Sequence, residues 1–95
     1  MAPEKAAGDD IAIRVRRLIY RAAHRGTREL DLLLGPFALA EAGRMSEAEL
    51  DGLERLLDEA DTDLQTWLLG QAPLPADLDP ALLERILAFK RNTPS

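Results

Sequence analysis

The chain has 95 residues, 46% of them hydrophobic, enough for one small domain and too little for a deep private active site. It has no cysteine and one histidine, which excludes disulfides, zinc–thiolate sites, thiol nucleophiles and multi-histidine metal centres. Seventeen acidic against twelve basic side chains leave a net charge of -5, which argues against general binding to nucleic acid or anionic membranes.

Residues 1–8 are small and polar, include Pro3 and read as a disordered tail without the apolar core of a secretion signal. Asp9 or Asp10 is placed to cap a first helix. Ile11, Val15, Leu18, Ile19 and Ala22 recur at helical spacing and give that helix an apolar stripe. Arg14, Arg17 and Arg21 form a second stripe, and Arg16 and Tyr20 an i, i+4 pair. Arginines 14, 16, 17, 21, 25 and 28 crowd the first third of the chain while the acids crowd the rest, so one end is suited to an acidic partner. The plain reading of the stripe is a solvated face.

Arg25-Gly26-Thr27-Arg28-Glu29 joins the first two predicted helices. Gly26 is suited to the left-handed conformation that ends a helix, Thr27 to capping the next one, and Glu29 to its positive first turn. Those roles leave the choice of Arg25 and Arg28 unexplained, because any polar residue would serve. The second helix carries Leu30, Leu33, Leu34 and Phe37 inward. Gly35-Pro36 predicts a kink or restart, continuing to about Ala42 with Gly43 as the stop.

Ser46 and Glu49 form a capping box for a third helix, with Met45 and Leu50 placed for a hydrophobic staple. Leu50, Leu53, Leu56 and Leu57 define its buried face, and Asp51, Glu54, Asp58 and Glu59 its wet one. Asp61 is expected to cap a short fourth helix that turns Leu64, Trp67 and Leu68 inward and closes at Gly70. Residues 71–78 form a proline-containing linker. Asp79 then caps a fifth helix, with Pro80 at its first position, Leu82, Leu83, Ile86 and Phe89 inward, and Lys90 and Arg91 at its end. Residues 92–95 read as a frayed tail. No strand-period segment and no repeat appears, so the expected fold is an all-α, single-domain bundle of five helices over residues 9–91.

No apolar run approaches the roughly 18 residues of a membrane helix. There is no phosphate loop, dinucleotide fingerprint or nucleophile beside a base. A helix-turn-helix is disfavoured because the arginines lie on the first helix and the second, reading helix is leucine-rich.

Arg17-Leu18-Ile19-Tyr20, then Arg25 to Asp31 and Gly35-Pro36-Phe37, resembles the SdhE family, the succinate dehydrogenase assembly factor 2 proteins. Its hallmark Arg-Gly-x-x-Glu is matched by Arg25, Gly26 and Glu29. Met45-Ser46 before an acidic helix, Asp63-Leu64-Gln65-Thr66-Trp67, and a proline linker before the last helix extend the likeness over about residues 12 to 91. The resemblance implies a five-helix chaperone, not an enzyme, that binds the flavoprotein subunit of succinate dehydrogenase, and in some bacteria that of fumarate reductase. It would promote covalent attachment of FAD there without holding a cofactor or metal itself. It places the contact centre at Arg25, Gly26 and Glu29, with Arg17, Tyr20, Arg28 and Asp31 as neighbours, in a monomer of the bacterial cytoplasm or mitochondrial matrix. From the residues alone, two other classes stay open. One is a small helical enzyme that clamps an anionic substrate with Arg14, Arg17, Arg21 and Arg25. The other is an antitoxin-like regulator of another protein.

Overall fold

Each apolar stripe becomes a helix in the computed structural model, which describes the backbone of residues 7–92 and the side chains of residues 10–92. The helices are α1 (Ala7–Ala23), α2 (Arg28–Glu41), α3 (Glu47–Leu57), α4 (Asp61–Leu68) and α5 (Pro80–Asn92), with a 3-10 turn at Ala42–Arg44. They are the only regular elements among the described residues, so the five-helix, all-α expectation holds. Residues 1–6 and 93–95 of the expected tails lie outside the described residues. Helix α1 already includes Asp9 and Asp10, so neither is its cap.

Leu18 and Ala22 of α1, Leu30, Leu34, Phe37 and Ala38 of α2, Leu50 and Leu53 of α3, Leu64 of α4 and Ile86 of α5 meet in one core, none more than 2% exposed. Burying each large side chain contributes roughly 1.5–3 kcal/mol. Phe37 also meets Phe89 edge-on, with ring centroids 5.7 Å apart. Trp67 packs against this core from its margin.

Helix α1 makes its broadest contact with α2. At that crossing a Cβ on Gly35 would lie 3.0 Å from the Ala23 Cβ and 3.1 Å from its Cα. Gly35 therefore serves close approach of two helices, whereas the sequence suggested an interruption there. Helix α2 runs through Pro36 without a restart. An interior proline costs about 3 kcal/mol, but buried residues on both sides of it, Leu30 and Leu34 before and Phe37 and Ala38 after, are held in the same core. Gly43 lies inside the 3-10 turn and is not among the glycines of positive φ, so it is not the expected helix stop.

Three helix ends follow their local signals. Ser46 Oγ accepts the Glu49 N–H at 3.1 Å, and Glu49 Oε1 accepts the Ser46 N–H at 2.8 Å, completing the capping box of α3. Asp79 Oδ1 accepts the Ala81 N–H at 2.9 Å at the start of α5. Gly70, at φ +72°, closes α4 with bonds from Gly70 N–H to the Trp67 carbonyl and Gln71 N–H to the Thr66 carbonyl. The linker after it is tied down by Arg55 of α3, whose guanidinium bonds both Glu59 and Asp77.

Candidate partner-binding site

Helix α1 ends at Ala23, three residues before Gly26. The His24 ring stacks on Tyr20, with centroids 4.0 Å apart, and His24 Nδ1 lies 2.8 Å from the Tyr20 carbonyl. A carbonyl can only accept, so Nδ1 carries the proton and satisfies one of the free carbonyls at the end of α1. Gly26 follows at φ +107°, a conformation that L side chains rarely adopt, and it is exposed. A Cβ there would find nothing nearer than Asp61 Oδ2 at 4.0 Å, so this glycine is required by its dihedral and not by crowding within the chain.

Thr27 takes the cap position of α2 with φ -113° and ψ 136°, but its side chain does no capping. Its hydroxyl is buried and finds no partner among the described residues. Asp31 supplies the polar link instead: its carboxylate accepts the Arg25 N–H at 2.6 Å and closes the joint on itself.

Arg25 is half-buried, its side chain only 11% exposed. Its guanidinium donates from Nε to Asp61 Oδ1 at 2.7 Å, from Nη1 to the Leu57 carbonyl at 2.6 Å and from Nη2 to the Glu59 carbonyl at 2.5 Å. The last carbonyls of a helix carry partial negative charge and lack intrahelical donors, so a planar cation with several donors suits the end of α3. Asp61 is the first residue of α4, whose cap position is occupied by Ala60. The expected capping role of Asp61 thus gives way to a charge-assisted bond with Arg25, the stronger option for its carboxylate. Arg25, expected at the contact centre, thus uses its guanidinium donors within the chain. The carboxylate that orients Arg25 is that of Asp61, 36 residues away.

The arginine stripe of α1 splits in the same way. Arg14 bonds Asp51 at 2.5 Å and Glu54 at 2.9 Å, and these acids hold its guanidinium above its ordinary pKa. Arg21 bonds Asp58 at 2.8 Å. The acidic face of α3 is therefore partly turned to α1, and the stripe is not simply solvated. Arg14, Arg17 and Arg21 line one crevice together with Asp10 and Glu54. With Arg14, Arg21 and Arg25 each paired to the chain's own carboxylates, an anion clamp built from these four arginines has lost most of its charge.

What remains turned outward is a distinct set. Arg17, Tyr20, Gly26, Arg28 and Glu29 are exposed, and Arg17, Arg28 and Glu29 have no ion pair with another described residue. Of the residues expected at the site, then, five lie at the surface near the joint or on the exposed side of α1, while Arg25 and Asp31 brace the joint. Residues 16–90 match the family model described as flavinator of succinate dehydrogenase. The chain belongs to that family.

Among its relatives, the chain is 42% identical over 85 residues to the FAD assembly factor SdhE of Acetobacter pasteurianus, covering 90% of this chain and 78% of that one. It is 45% identical over 78 residues to the mitochondrial succinate dehydrogenase assembly factor 2 of Mycosarcoma maydis, covering 79% of this chain and 33% of that one. It is 46% identical over 76 residues to the protein of the same description from Scheffersomyces stipitis, covering 77% of this chain and 51% of that one. The chain thus spans between a third and about half of these two fungal relatives. No solved structure gives a significant match. The family region includes the joint and all of α2, α3 and α4, so the Arg25 network lies within what the family model covers.

Sequence reasoning missed Asp61 and the carbonyls of Leu57 and Glu59 as partners of Arg25. No local signal points to them, since they lie 32 to 36 residues further along the chain.

Proposed function

We propose that this chain is an assembly factor that binds the flavoprotein subunit of succinate dehydrogenase and promotes covalent attachment of FAD to it. The observation that carries the reading is the braced joint: Arg25 and Asp31 fix the backbone around Gly26, while Arg28 and Glu29 stand outward and unpaired among the described residues. A charged pair presented on a fixed backbone loses little entropy on binding, which favours recognition of one arrangement of a partner. The family description and the names of the relatives agree with it.

The factor acts as a chaperone and not as a catalyst. Flavinylation needs a nucleophilic histidine beside the flavin and stabilisation of negative charge developing on the ring, and the flavoprotein supplies both. The factor contributes by binding the reactive arrangement of the flavoprotein more tightly than other arrangements. In this reading Gly26, Arg28 and Glu29 form the contact centre, with Arg17 and Tyr20 beside it. Arg25 and Asp31 position that centre. FAD stays with the partner throughout. The factor works as a monomer in the compartment where the flavoprotein matures, the bacterial cytoplasm or the mitochondrial matrix. The fumarate reductase flavoprotein is a second client by the same chemistry. No helix among the described residues is long and apolar enough to cross a membrane.

The test is a strain lacking the gene, assayed for flavin fluorescence of the denatured flavoprotein subunit on a gel. Fluorescence should be lost, return with the wild-type chain and not return with Gly26→Arg. Undiminished fluorescence in the deletion strain would overturn the proposal.

A further inference from the structure

Glu29 belongs to the family hallmark, yet nothing among the described residues holds its carboxylate. It stands on the rim of a groove of about 370 Å³ formed between α2, α4 and α5. The floor is Leu30, Leu33, Leu68 and Leu69, and the rim is Glu29, Gln65 and Lys90. Glu29 and Lys90 are both exposed, and they form no ion pair with each other or with any other described residue. Leu69 is 60% exposed and carries the apolar lining of the groove out to the surface. It is also held in place, because the Gly70 closure of α4 fixes the backbone immediately after it.

An acid and a base across an apolar floor select their occupant by charge as well as by shape. A nucleic acid or an anionic lipid surface would be repelled by Glu29. A second copy of this chain fits poorly, because the other exposed large apolar residues are Tyr20, Leu32 and Leu39. Tyr20 is flanked along its helix by Arg16, Arg17 and Arg21, while Leu32 and Leu39 lie in a stretch of α2 without charge from Leu32 to Ala40. None of the three offers an apolar side chain set between opposite charges.

We propose that this groove seats a segment of the partner flavoprotein bearing a large apolar side chain between a basic residue, which meets Glu29, and an acidic residue, which meets Lys90. The proposal rests on the assembly-factor reading and adds Leu33, Gln65, Leu68, Leu69 and Lys90 to the contact surface. It gives Glu29 two tasks in one position, pairing a partner cation and marking one end of an apolar socket. Burial of Leu69 supplies the affinity, and the two charges set the direction in which the segment lies.

The experiment measures the Kd of the purified chain for the purified flavoprotein subunit at low and high salt. Leu69→Asp should weaken binding at least about tenfold, equivalent to about 1.4 kcal/mol. Leu39→Asp, at a residue 72% exposed and outside the groove, should change it less than about twofold, below 0.5 kcal/mol by the same relation. Glu29→Gln and Lys90→Gln leave the floor untouched and should each weaken binding at low salt, with the losses shrinking at high salt as the charges are screened. Wild-type affinity in Leu69→Asp, or equal losses in Leu69→Asp and Leu39→Asp, would overturn the proposal. So would a wild-type chain that self-associates and becomes monomeric on Leu69→Asp. A wild-type chain that does not bind the flavoprotein would remove the assembly-factor reading itself, whereas wild-type binding with an indifferent Leu69→Asp would remove the groove alone.

Discussion

Replacing Arg25 with alanine should unfold this protein at a markedly lower temperature. The change removes three hydrogen bonds of 2.5 to 2.7 Å from a side chain that is 11% exposed. The carbonyls of Leu57 and Glu59 and the Asp61 carboxylate lose their donor together. A hydrogen bond to a charged group contributes about 1.5–3 kcal/mol, but bonds made by one side chain are not additive. Asp61 is 27% exposed and recovers water, which lowers the sum further. The expected net loss is about 2–4 kcal/mol. At about 4–8 °C per kcal/mol for a domain of this size, Tm should fall by roughly 8–32 °C. Arg25→Lys keeps the charge but cannot fork onto three acceptors, so it should recover only part of the loss. Thermal and urea unfolding followed by circular dichroism provide the measurement. The double variant Arg25→Ala with Asp61→Asn should cost less than the sum of the two singles, because each removes the same interaction. A loss within about 0.5 kcal/mol for Arg25→Ala, as at an ordinary surface position, would refute the bracing role and return the guanidinium to solvent and to partners.

Gly35→Ala and Gly52→Ala should have opposite signs. Both gain up to about 1 kcal/mol of helix propensity, but the new methyl at 35 meets Ala23 at 3.0 Å, whereas at 52 the nearest atoms lie at 3.7 Å. Overpacking costs about 1–3 kcal/mol, so Tm should fall for Gly35→Ala and rise for Gly52→Ala. Ser46→Ala removes the N-cap acceptor of α3 and should cost about 1 kcal/mol in urea unfolding. The Arg55 guanidinium beside Asp77 holds that carboxyl below the usual carboxylate range. A folded-state value below the unfolded one stabilises above the unfolded pKa of about 3.9 and is lost as pH falls through the folded value. The Tm of the wild type should therefore drop below about pH 4, and Asp77→Asn should flatten that part of the curve.

The helices, and the caps of α3 and α5, were legible because their determinants act within four residues. Ser46 and Glu49 reach each other three residues apart, Asp79 reaches Ala81, and the leucines of α3 repeat on one face. The hallmark was legible as a pattern, and the dihedral of Gly26 bears out its role at the turn. The local reading of Gly35-Pro36 failed because propensity ignores what lies across the crossing. A neighbour at 3.0 Å gives the glycine its reason, and core packing on both sides carries the helix through the proline.

The sequence by itself determined that five helices form and roughly where, which faces are apolar, and that the joint around Gly26 departs from the ordinary. Those are properties of hydrogen bonds and side-chain spacing along a short length of chain. Only the tertiary structure decided which charges are taken and which are left. Arg14, Arg21 and Arg25 look like Arg17 and Arg28 in the sequence, but Asp51, Glu54, Asp58 and Asp61 reach the first three from 36 to 40 residues away. A guanidinium already bonded in a half-buried setting must lose those bonds before it can meet a partner, and an exposed unpaired one need not. That difference depends on the packing of α1 against α3 and on the approach of the Arg25 joint to the start of α4, which periodicity does not encode.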